Sequence, residues 1–274
     1  MDVKTVVIDP VYHSGFCLSG NEGVCHIKTL PFLSVVQATE GQYDIALGDS
    51  SLQSTGEGGF FIAPADVRQT IIHHESPATG RMQARWVFLS VWLDGDCRLE
   101  DAYSFPTVVP EGEREQLNTL FDRIFSAVDS FDAYAEYYAL VRLLSRIGTP
   151  GGRPAVPCLQ PVMQYIHQHY RERLSVEQLA KVAHLSPSHF YTVFKKATST
   201  SPMAYLNSYR LSLAADRLMN TEKSVAEIAR SVGLDDLSYF NKLFRKAYQM
   251  SPTGYRAAYR KSLDFSSGVL YNQP

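Results

Sequence analysis

Short runs of β-branched and aromatic residues, separated by glycine-containing turns, dominate the chain from residue 1 to about 107. Such runs are typical of short antiparallel strands, and many of them favour a sandwich or small barrel, whose mouth is a common ligand site. Between residues 112 and 147 the apolar positions follow a helical period instead, which predicts two amphipathic helices. The predicted strands are 33–38, 41–47, 59–63, 69–73 and 82–93.

A repeat of about fifty residues organises the carboxy-terminal part of the chain. The segment 174–186 recurs at 223–235, and after a one-residue insertion the similarity continues to Tyr205 and Tyr255. Each copy predicts two helices joined by a tight turn. The first helix of each copy begins with the pattern of a capping box, in which a serine is followed three residues later by Gln or Glu.

The turn and the second helix of each copy have the design of a helix-turn-helix unit. Gly233 suits the positive φ that such a turn requires, whereas His184 occupies the matching position in the first copy and fits it less easily. Phenylalanines form the inner face of each second helix. The outward residues are Ser188, Tyr191, Thr192 and Lys195 in the first copy and Leu237, Ser238, Asn241, Lys242 and Arg245 in the second.

The stretch 202–219 joins the two copies and predicts one long linker helix. A rigid linker would let both second helices enter successive segments of the major groove, about 34 Å apart. Asn on such a helix is suited to adenine, while Lys and Arg neutralise phosphates or pair with guanine.

Charge separates the chain at the proline- and glycine-rich segment 148–157, which predicts a linker. Residues 1–155 carry 11 Lys and Arg against 20 Asp and Glu, a net charge of −9, while residues 156–274 carry 15 against 8, a net charge of +7. A basic domain is the footprint expected of contact with a polyanion. We therefore predict two domains, 1–150 and 158–262, of which the second binds DNA.

Residues 158–261 resemble the DNA-binding domain of the AraC/XylS family of bacterial transcription regulators. The resemblance rests on the opening 175–180, on the linker 210–219 and above all on the segment 224–252. By position it implies base-facing residues at Ser188, Tyr191, Thr192, Leu237, Ser238, Asn241 and Lys242, and phosphate contacts near Lys195, Arg210 and Arg245.

The amino-terminal part is loosely similar to the cupin-like sensing domain that often precedes this DNA-binding domain. The expected fold class is therefore α+β with two domains: a cupin-like β-barrel or jelly roll with a helical hairpin, followed by an all-α domain of two helix-turn-helix units joined by a linker helix. The hairpin over 112–147 either packs only on the barrel or also forms a dimer interface, since the resemblance implies self-association as a homodimer.

A cupin-like domain raises the question of a bound metal. Gly58 and Pro64 fit the second cupin motif, but Gln69 stands where that motif has a histidine ligand. His73 and His74 are adjacent on a strand, so their side chains point to opposite faces. We therefore predict no metal, no cofactor and no enzymatic activity.

Candidate effector-binding residues are His13, Gln69, Arg85, Trp86 and Phe88. Trp86 beside Arg85 combines a stacking surface with a planar donor, which are the two features that a sugar needs. Saccharide effectors are frequent among proteins that resemble this one. A saccharide is therefore the predicted effector.

The predicted function is sequence-specific regulation of transcription, by resemblance as an activator, with operator DNA, an effector, a second copy and RNA polymerase as partners. Two alternatives stay open: the amino-terminal domain only mediates dimerisation, or it is a cupin enzyme fused to a DNA-binding module. The four cysteines have no regular spacing, and the chain has neither a signal-like start nor an apolar run of about 18 residues. These features predict a cytoplasmic protein without a membrane partner.

Overall fold

A computed structural model describes residues 3–9, 13–18, 22–94, 97–151, 159–198, 200–248 and 250–263. The strands are β1 (Val6–Asp9), β2 (His13–Leu18), β3 (Cys25–Thr29), β4 (Leu33–Glu40), β5 (Gln42–Leu47), β6 (Gln53–Ser54), β7 (Phe60–Ala63), β8 (Arg68–His74), β9 (Met82–Leu93), β10 (Cys97–Arg98), β11 (Tyr103–Ser104) and β12 (Thr149–Pro150). The helices are α1 (Leu99–Ala102), α2 (Glu111–Ser126), α3 (Ser130–Ile147), α4 (Gln160–His169), α5 (Val176–Val182), α6 (Pro187–Thr198), α7 (Pro202–Asn220), α8 (Val225–Ser231), α9 (Leu237–Tyr248) and α10 (Pro252–Leu263).

Two antiparallel sheets form the amino-terminal half. In the first sheet β9 pairs with β1 and β2 along one edge and with β4 and β10 along the other, and β7 lies beyond β4. The second sheet has the order β3-β8-β5-β6. The five predicted strands are confirmed as β4, β5, β7, β8 and β9, whose observed ends lie within two residues of the predicted ones.

The long strand β9 is buried on both faces because a different layer covers each of them. Val87, Leu89 and Val91 pack against the hairpin of α2 and α3, which confirms the two helices predicted over 112–147. Trp86 and Phe88 lie on the opposite face and point into the space between the two sheets. The period-two alternation of the strand thus separates a helix-covered face from an inner face.

The carboxy-terminal half contains the two predicted helix-turn-helix units. The first unit consists of α5 and α6, the second of α8 and α9, and the 19-residue helix α7 joins them as predicted. Helix α4 packs against the first unit, and α10 packs against the second. Within the described ranges, none of the helices is long and apolar enough to cross a membrane.

The amino-terminal half contacts each unit in a different way. Trp92, at the end of β9, is 3% exposed and belongs to the same packed cluster as the core of the first unit. The second unit and α10 also share a packed cluster with the inner faces of the sheets, but this contact borders a cavity. We call these two contacts the solid joint and the hollow joint.

Candidate functional site

Capping boxes begin both units, as the sequence predicts. The amide of Gln178 donates to Ser175 Oγ at 3.3 Å, and the amide of Ser175 donates back to Gln178 Oε1 at 2.8 Å. In the second unit the corresponding distances between Ser224 and Glu227 are 3.2 and 2.7 Å. These reciprocal bonds satisfy amide groups that a helix start otherwise leaves without partners, and so fix where α5 and α8 begin.

The turn of each unit contains a residue in the left-handed region. Gly233 has φ +78° and His184 has φ +55°. Both residues take the conformation expected from the repeat, but for His184 it carries the steric cost of a Cβ atom. The turn geometry therefore overrides local preference in the first unit.

The outer face of α6 is exposed where the sequence places it. Phe190 and Phe194 are fully buried beneath the helix. The Thr192 hydroxyl donates to the Ser188 carbonyl at 3.0 Å, so this hydroxyl is bonded to its own helix. The exposed residues that the sequence predicts to face DNA are Ser188, Tyr191, Thr192 and Lys195.

The outer face of α9 is more basic and slightly concave. Leu237, Ser238, Lys242 and Arg245 are exposed, and Asn241 is half-buried. A shallow depression on this face is lined by Ser238, Asn241, Lys242, Arg245 and Lys246.

Two further residues on or beside this face escaped the sequence interpretation. Lys246 lines the depression and matches Lys196 in the repeat, so the repeat itself could have found it. Tyr239 is 46% exposed, and its hydroxyl accepts a hydrogen bond from Asn207 Nδ2 at 3.3 Å. This bond connects the start of α9 to the linker helix.

The predicted phosphate contact of Arg210 is wrong. Its side chain is buried, with the residue 6% exposed. Nε donates to the carbonyl of Tyr170 at 2.7 Å, and Nη2 donates to the carbonyl of Glu172 at 2.6 Å. Arg210 therefore binds the backbone that follows α4 and is not available to a phosphate.

The hollow joint contains a narrow cavity of about 80 Å³ that opens to solvent. Its walls come from the inner faces of both sheets and from the second unit with its flanking helices. The lining residues are Lys28, Leu30, Val36, Tyr43, Phe61, Ile71, His73, Trp86, Phe88, Ala215, Met219, Ala247, Tyr248 and Tyr255. Ala247 and Tyr248 form the last turn of α9, so the helix that presents Asn241 and Lys242 outward also forms a wall of the cavity.

Lys28 contributes a positively charged side chain to the lining of this cavity. Burial among apolar groups lowers the pKa of its ammonium to about 8, because the charged form loses hydration. Among the described residues Lys28 has no hydrogen-bond or ion-pair partner. The residue directly opposite on β8 is Gln69, whose side-chain amide is buried with neither polar atom hydrogen-bonded within the described part of the chain.

Of the predicted effector residues, Trp86 and Phe88 line the cavity. Gln69 lies on the same sheet face as Lys28, because directly opposed residues of antiparallel strands share a face. His13 is on β2 opposite Val87, and its side chain lies outside the described part of the structure.

Arg85 points away from the cavity, so its assignment to the effector site is wrong. It donates to Asp122 at 2.6 Å and to Gln37 at 2.7 Å, and it lies over the rings of Phe121 and Phe125. Alternation along β9 places it on the helix-covered face, opposite Trp86. Arg85 thus attaches α2 to the first sheet.

The two adjacent histidines of β8 do lie on opposite faces. His73 is buried and lines the cavity. His74 faces outward between Glu22, at 2.8 Å, and Asp44, at 3.0 Å, and these carboxylates raise its pKa. Among the described residues no three His, Cys, Asp or Glu side chains are grouped so as to hold a metal ion.

Comparison with known proteins yields matches to the carboxy-terminal half and to the fold of nearly the whole chain. Residues 179–258 match the family described as "Helix-turn-helix domain". The "XylDLEGF operon transcriptional activator 2" of Pseudomonas putida is 32% identical over 114 residues, which cover 38% of this chain and 73% of that protein. The "Lactose operon transcription activator" of Staphylococcus xylosus is 34% identical over 78 residues, which cover 28% of each chain.

The structure of ToxT from Vibrio cholerae has the same overall fold, with a TM-score of 0.66 over 90% of this chain and 98% of that one, at 9% identity. The Pseudomonas match carries the family assignment, because it combines 32% identity with most of that relative's length. The helix-turn-helix family match begins within α5, includes α6, α7, α8 and α9, and ends within α10. The chain therefore belongs to the AraC/XylS family of transcription regulators.

Proposed function

We propose that the protein activates transcription in response to a small molecule that occupies the cavity of the hollow joint. Residues 158–262 are the DNA-binding domain, and residues 1–150 are a cupin-like sensing and dimerisation domain. One observation carries the proposal: the last turn of α9 forms a wall of the cavity, while the outer face of the same helix presents Asn241, Lys242 and Arg245. An occupant of the cavity would thus contact the helix that reads DNA.

Recognition helices α6 and α9 would enter successive segments of the major groove. Asn241 can pair with adenine, and Lys242 and Arg245 can pair with guanine or with phosphates. On α6 the candidates are Ser188, Tyr191, Thr192 and Lys195, of which Lys195 is the cation. We therefore expect the second unit to contribute more of the sequence specificity.

The test is a footprint of the full chain on the DNA upstream of its own gene and of neighbouring operons. Two protected segments about one helical turn apart are expected for each protomer. Asn241→Ala or Lys242→Ala should weaken specific binding by about 1–3 kcal/mol. Lys181→Ala, at an exposed position of α5, is the matched control and should leave binding unchanged. Full binding by both α9 variants would overturn the assignment of the recognition helix.

The lining of the cavity favours an effector with an apolar body and one negative charge. Most lining side chains are aliphatic or aromatic, and Lys28 supplies a positive charge that has no partner among the described residues. A carboxylate near Lys28 would compensate for the lost hydration of the ammonium. ToxT of Vibrio cholerae has been solved with an unsaturated fatty acid bound, and also with a naphthalenyl butenoic acid.

A saccharide, the effector predicted from the sequence, is the second candidate. Trp86 lines the cavity and could stack on a sugar ring, and the buried Gln69 amide could bond to a hydroxyl. Because Arg85 lies outside the cavity, the site lacks the planar donor on which the prediction of a sugar rests.

Thermal unfolding of the full chain with decanoate, and separately with a panel of hexoses and pentoses, distinguishes these candidates. A ligand at about a hundred times its dissociation constant adds about 2.7 kcal/mol of stability. We expect decanoate to raise the unfolding temperature of the wild type and of Lys181→Met, but not of Lys28→Met. A shift with a sugar alone would establish the second candidate. No shift with either class would favour an amino-terminal domain that only mediates dimerisation.

The proposed homodimer would use the exposed face of α3. Phe131 is 88% exposed and Tyr138 is 47% exposed on this helix, although aromatic side chains of this size are usually buried. A second copy of the chain would bury both. Phe131→Glu should convert the dimer to a monomer in sedimentation equilibrium, and a wild type that is already monomeric would overturn this part of the proposal.

A further inference from the structure

The segment that precedes the first helix-turn-helix unit contacts the second unit directly, in addition to the connection made by α7. The contact is made by the turn after α4, residues 170–172, which we call the bridging turn. This turn belongs to the first unit's side of the domain, and it lies against α7 and against the turn of the second unit.

Two arginines of the linker helix hold the bridging turn. Arg210 donates to the carbonyls of Tyr170 and Glu172, as described above. Arg217 lies seven residues further along α7 and therefore on the same face of the helix. Its Nη2 donates to the Tyr170 hydroxyl at 3.1 Å, while its Nη1 donates to the carbonyl of Ser231 at 2.9 Å and to the Ser231 hydroxyl at 2.5 Å. One guanidinium thus binds both the bridging turn and the end of α8.

Gly233 brings the second unit up to the same turn. A Cβ atom at this position would lie 2.7 Å from the carbonyl oxygen of Arg171 and 2.9 Å from its carbonyl carbon. The turn of the second unit therefore packs backbone to backbone on the bridging turn. This approach explains why Gly is needed here in addition to the positive φ.

We infer that Arg210 and Arg217 are positioning residues that fix the distance and the phase between α6 and α9, so that the protein selects its DNA by the spacing of two contacted segments as well as by their sequence. The inference rests on the proposed reading of DNA by both helices. A helix such as α7 can bend gently along its length, whereas a guanidinium bonded both to α8 and to the bridging turn, whose helix α4 packs against the first unit, restricts the relative rotation of the two units.

The test measures how DNA affinity depends on the number of base pairs between the two contacted segments. Variants of arginines that only stabilise the fold would leave this dependence unchanged. A binding site is selected from a random DNA library with the full wild-type chain, and derivatives carry one or two additional base pairs between the protected segments. Each added base pair rotates the segments by about 34° and separates them by about 3.4 Å. We expect one added base pair to weaken wild-type binding about 30-fold.

Arg217→Lys keeps the charge but lacks the fork that reaches Ser231 and Tyr170 together, and Tyr170→Phe removes the hydroxyl that Arg217 binds. In both variants the penalty for one added base pair should fall below about fivefold, while binding to the unmodified site weakens less than about tenfold. Arg230→Lys, at an exposed position of α8, is the matched control and should keep the full penalty.

Two other outcomes have distinct meanings. If the variants lose thermal stability or overall affinity but keep the 30-fold penalty, the arginines are structural and the inference is wrong. If the wild type itself protects only one segment, the proposed reading of DNA by both helices fails, and the inference fails with it.

Discussion

The solid joint and the hollow joint each contain one half-buried cation from the amino-terminal half, but in opposite surroundings. At the solid joint, Arg98 lies 2.9 Å from Asp66, 3.2 Å from Asp101 and 3.5 Å from Glu100. Burial opposes its charge, yet these carboxylates hold the pKa of Arg98 above its ordinary value. At the hollow joint, Lys28 has no such partner among the described residues, and its pKa is lowered.

This difference indicates what each joint is built for. The solid joint combines the buried indole of Trp92 with the cluster of Arg98 and three carboxylates beside Tyr205, whose pKa is raised well above its usual range by burial and by Asp66. Because Arg98 has its counter-charges and Trp92 is tightly packed, the first unit and the amino-terminal half should move as one body. The hollow joint leaves space and an uncompensated charge at the second unit. The contact that a ligand can change is therefore the contact with the second unit.

The largest expected effect is a difference in the free energy of unfolding between a variant of the tightly packed solid joint and a variant of the hollow joint. Trp92→Ala should lower the free energy of unfolding by about 3–5 kcal/mol, because it empties a filled core. Met219→Ala, at the wall of the cavity, should cost only about 1–2 kcal/mol, since Met219 already borders space on one side. Urea denaturation of both variants, followed by circular dichroism, measures the difference. Equal losses would show that the joints do not differ in packing.

The repeat made the carboxy-terminal half the more predictable part of the molecule. Two registered copies specify capping boxes, turns and buried phenylalanines twice, so each assignment in one unit supports the other. In the amino-terminal half, the helices α2 and α3 and the strands with strong apolar patterns could be predicted, whereas the other strands could not. The short β1 and the mixed β2 and β3 owe their conformation to pairing with β9 and β8, which no local pattern records.

A smaller change in stability is expected from substitutions in the turns of the two units. Gly233→Ala should cost about 2–3 kcal/mol, because a Cβ at φ +78° is strained and would also overlap the Arg171 carbonyl. His184→Gly should change stability by less than about 1 kcal/mol, since relief of strain at φ +55° offsets the greater freedom of unfolded Gly. Thermal unfolding of the two variants checks the order. A larger loss for His184→Gly would mean that its side chain makes a contact that outweighs the strain.

The site residues were predictable where a surface is made by one element and less so where several elements meet. The outer faces of α6 and α9 follow from helical period alone. Arg210 was misassigned because its partners, the carbonyls of Tyr170 and Glu172, are some 40 residues away in sequence, at separations of 40 and 38. Lys28 was missed because only the fold places a cation from β3 against α9, whereas the exclusion of Arg85 was already implied by alternation along β9.

The smallest effect is also the most specific, because it depends on pH. Below about pH 8, Lys28 is protonated in both the folded and the unfolded chain, and its burial destabilises the fold. Lys28→Met should therefore raise the free energy of unfolding at pH 7 by about 2 kcal/mol. Between about pH 8 and the unfolded value near 10.4, the unfolded chain binds more protons, so the wild type gains stability relative to the variant and the difference closes.

Urea denaturation of the wild type and of Lys28→Met at pH 7, 9 and 10.5 measures this closing difference, with Lys181→Met as an exposed control that should show none. Saturating decanoate at pH 7 should reverse the sign, since a carboxylate beside Lys28 stabilises only the wild type. A Lys28→Met variant that is less stable than the wild type at pH 7 without ligand would mean that the ammonium is already compensated. The hollow joint would then resemble the solid one, and the contrast between the two cations would no longer explain why the second unit responds to a ligand.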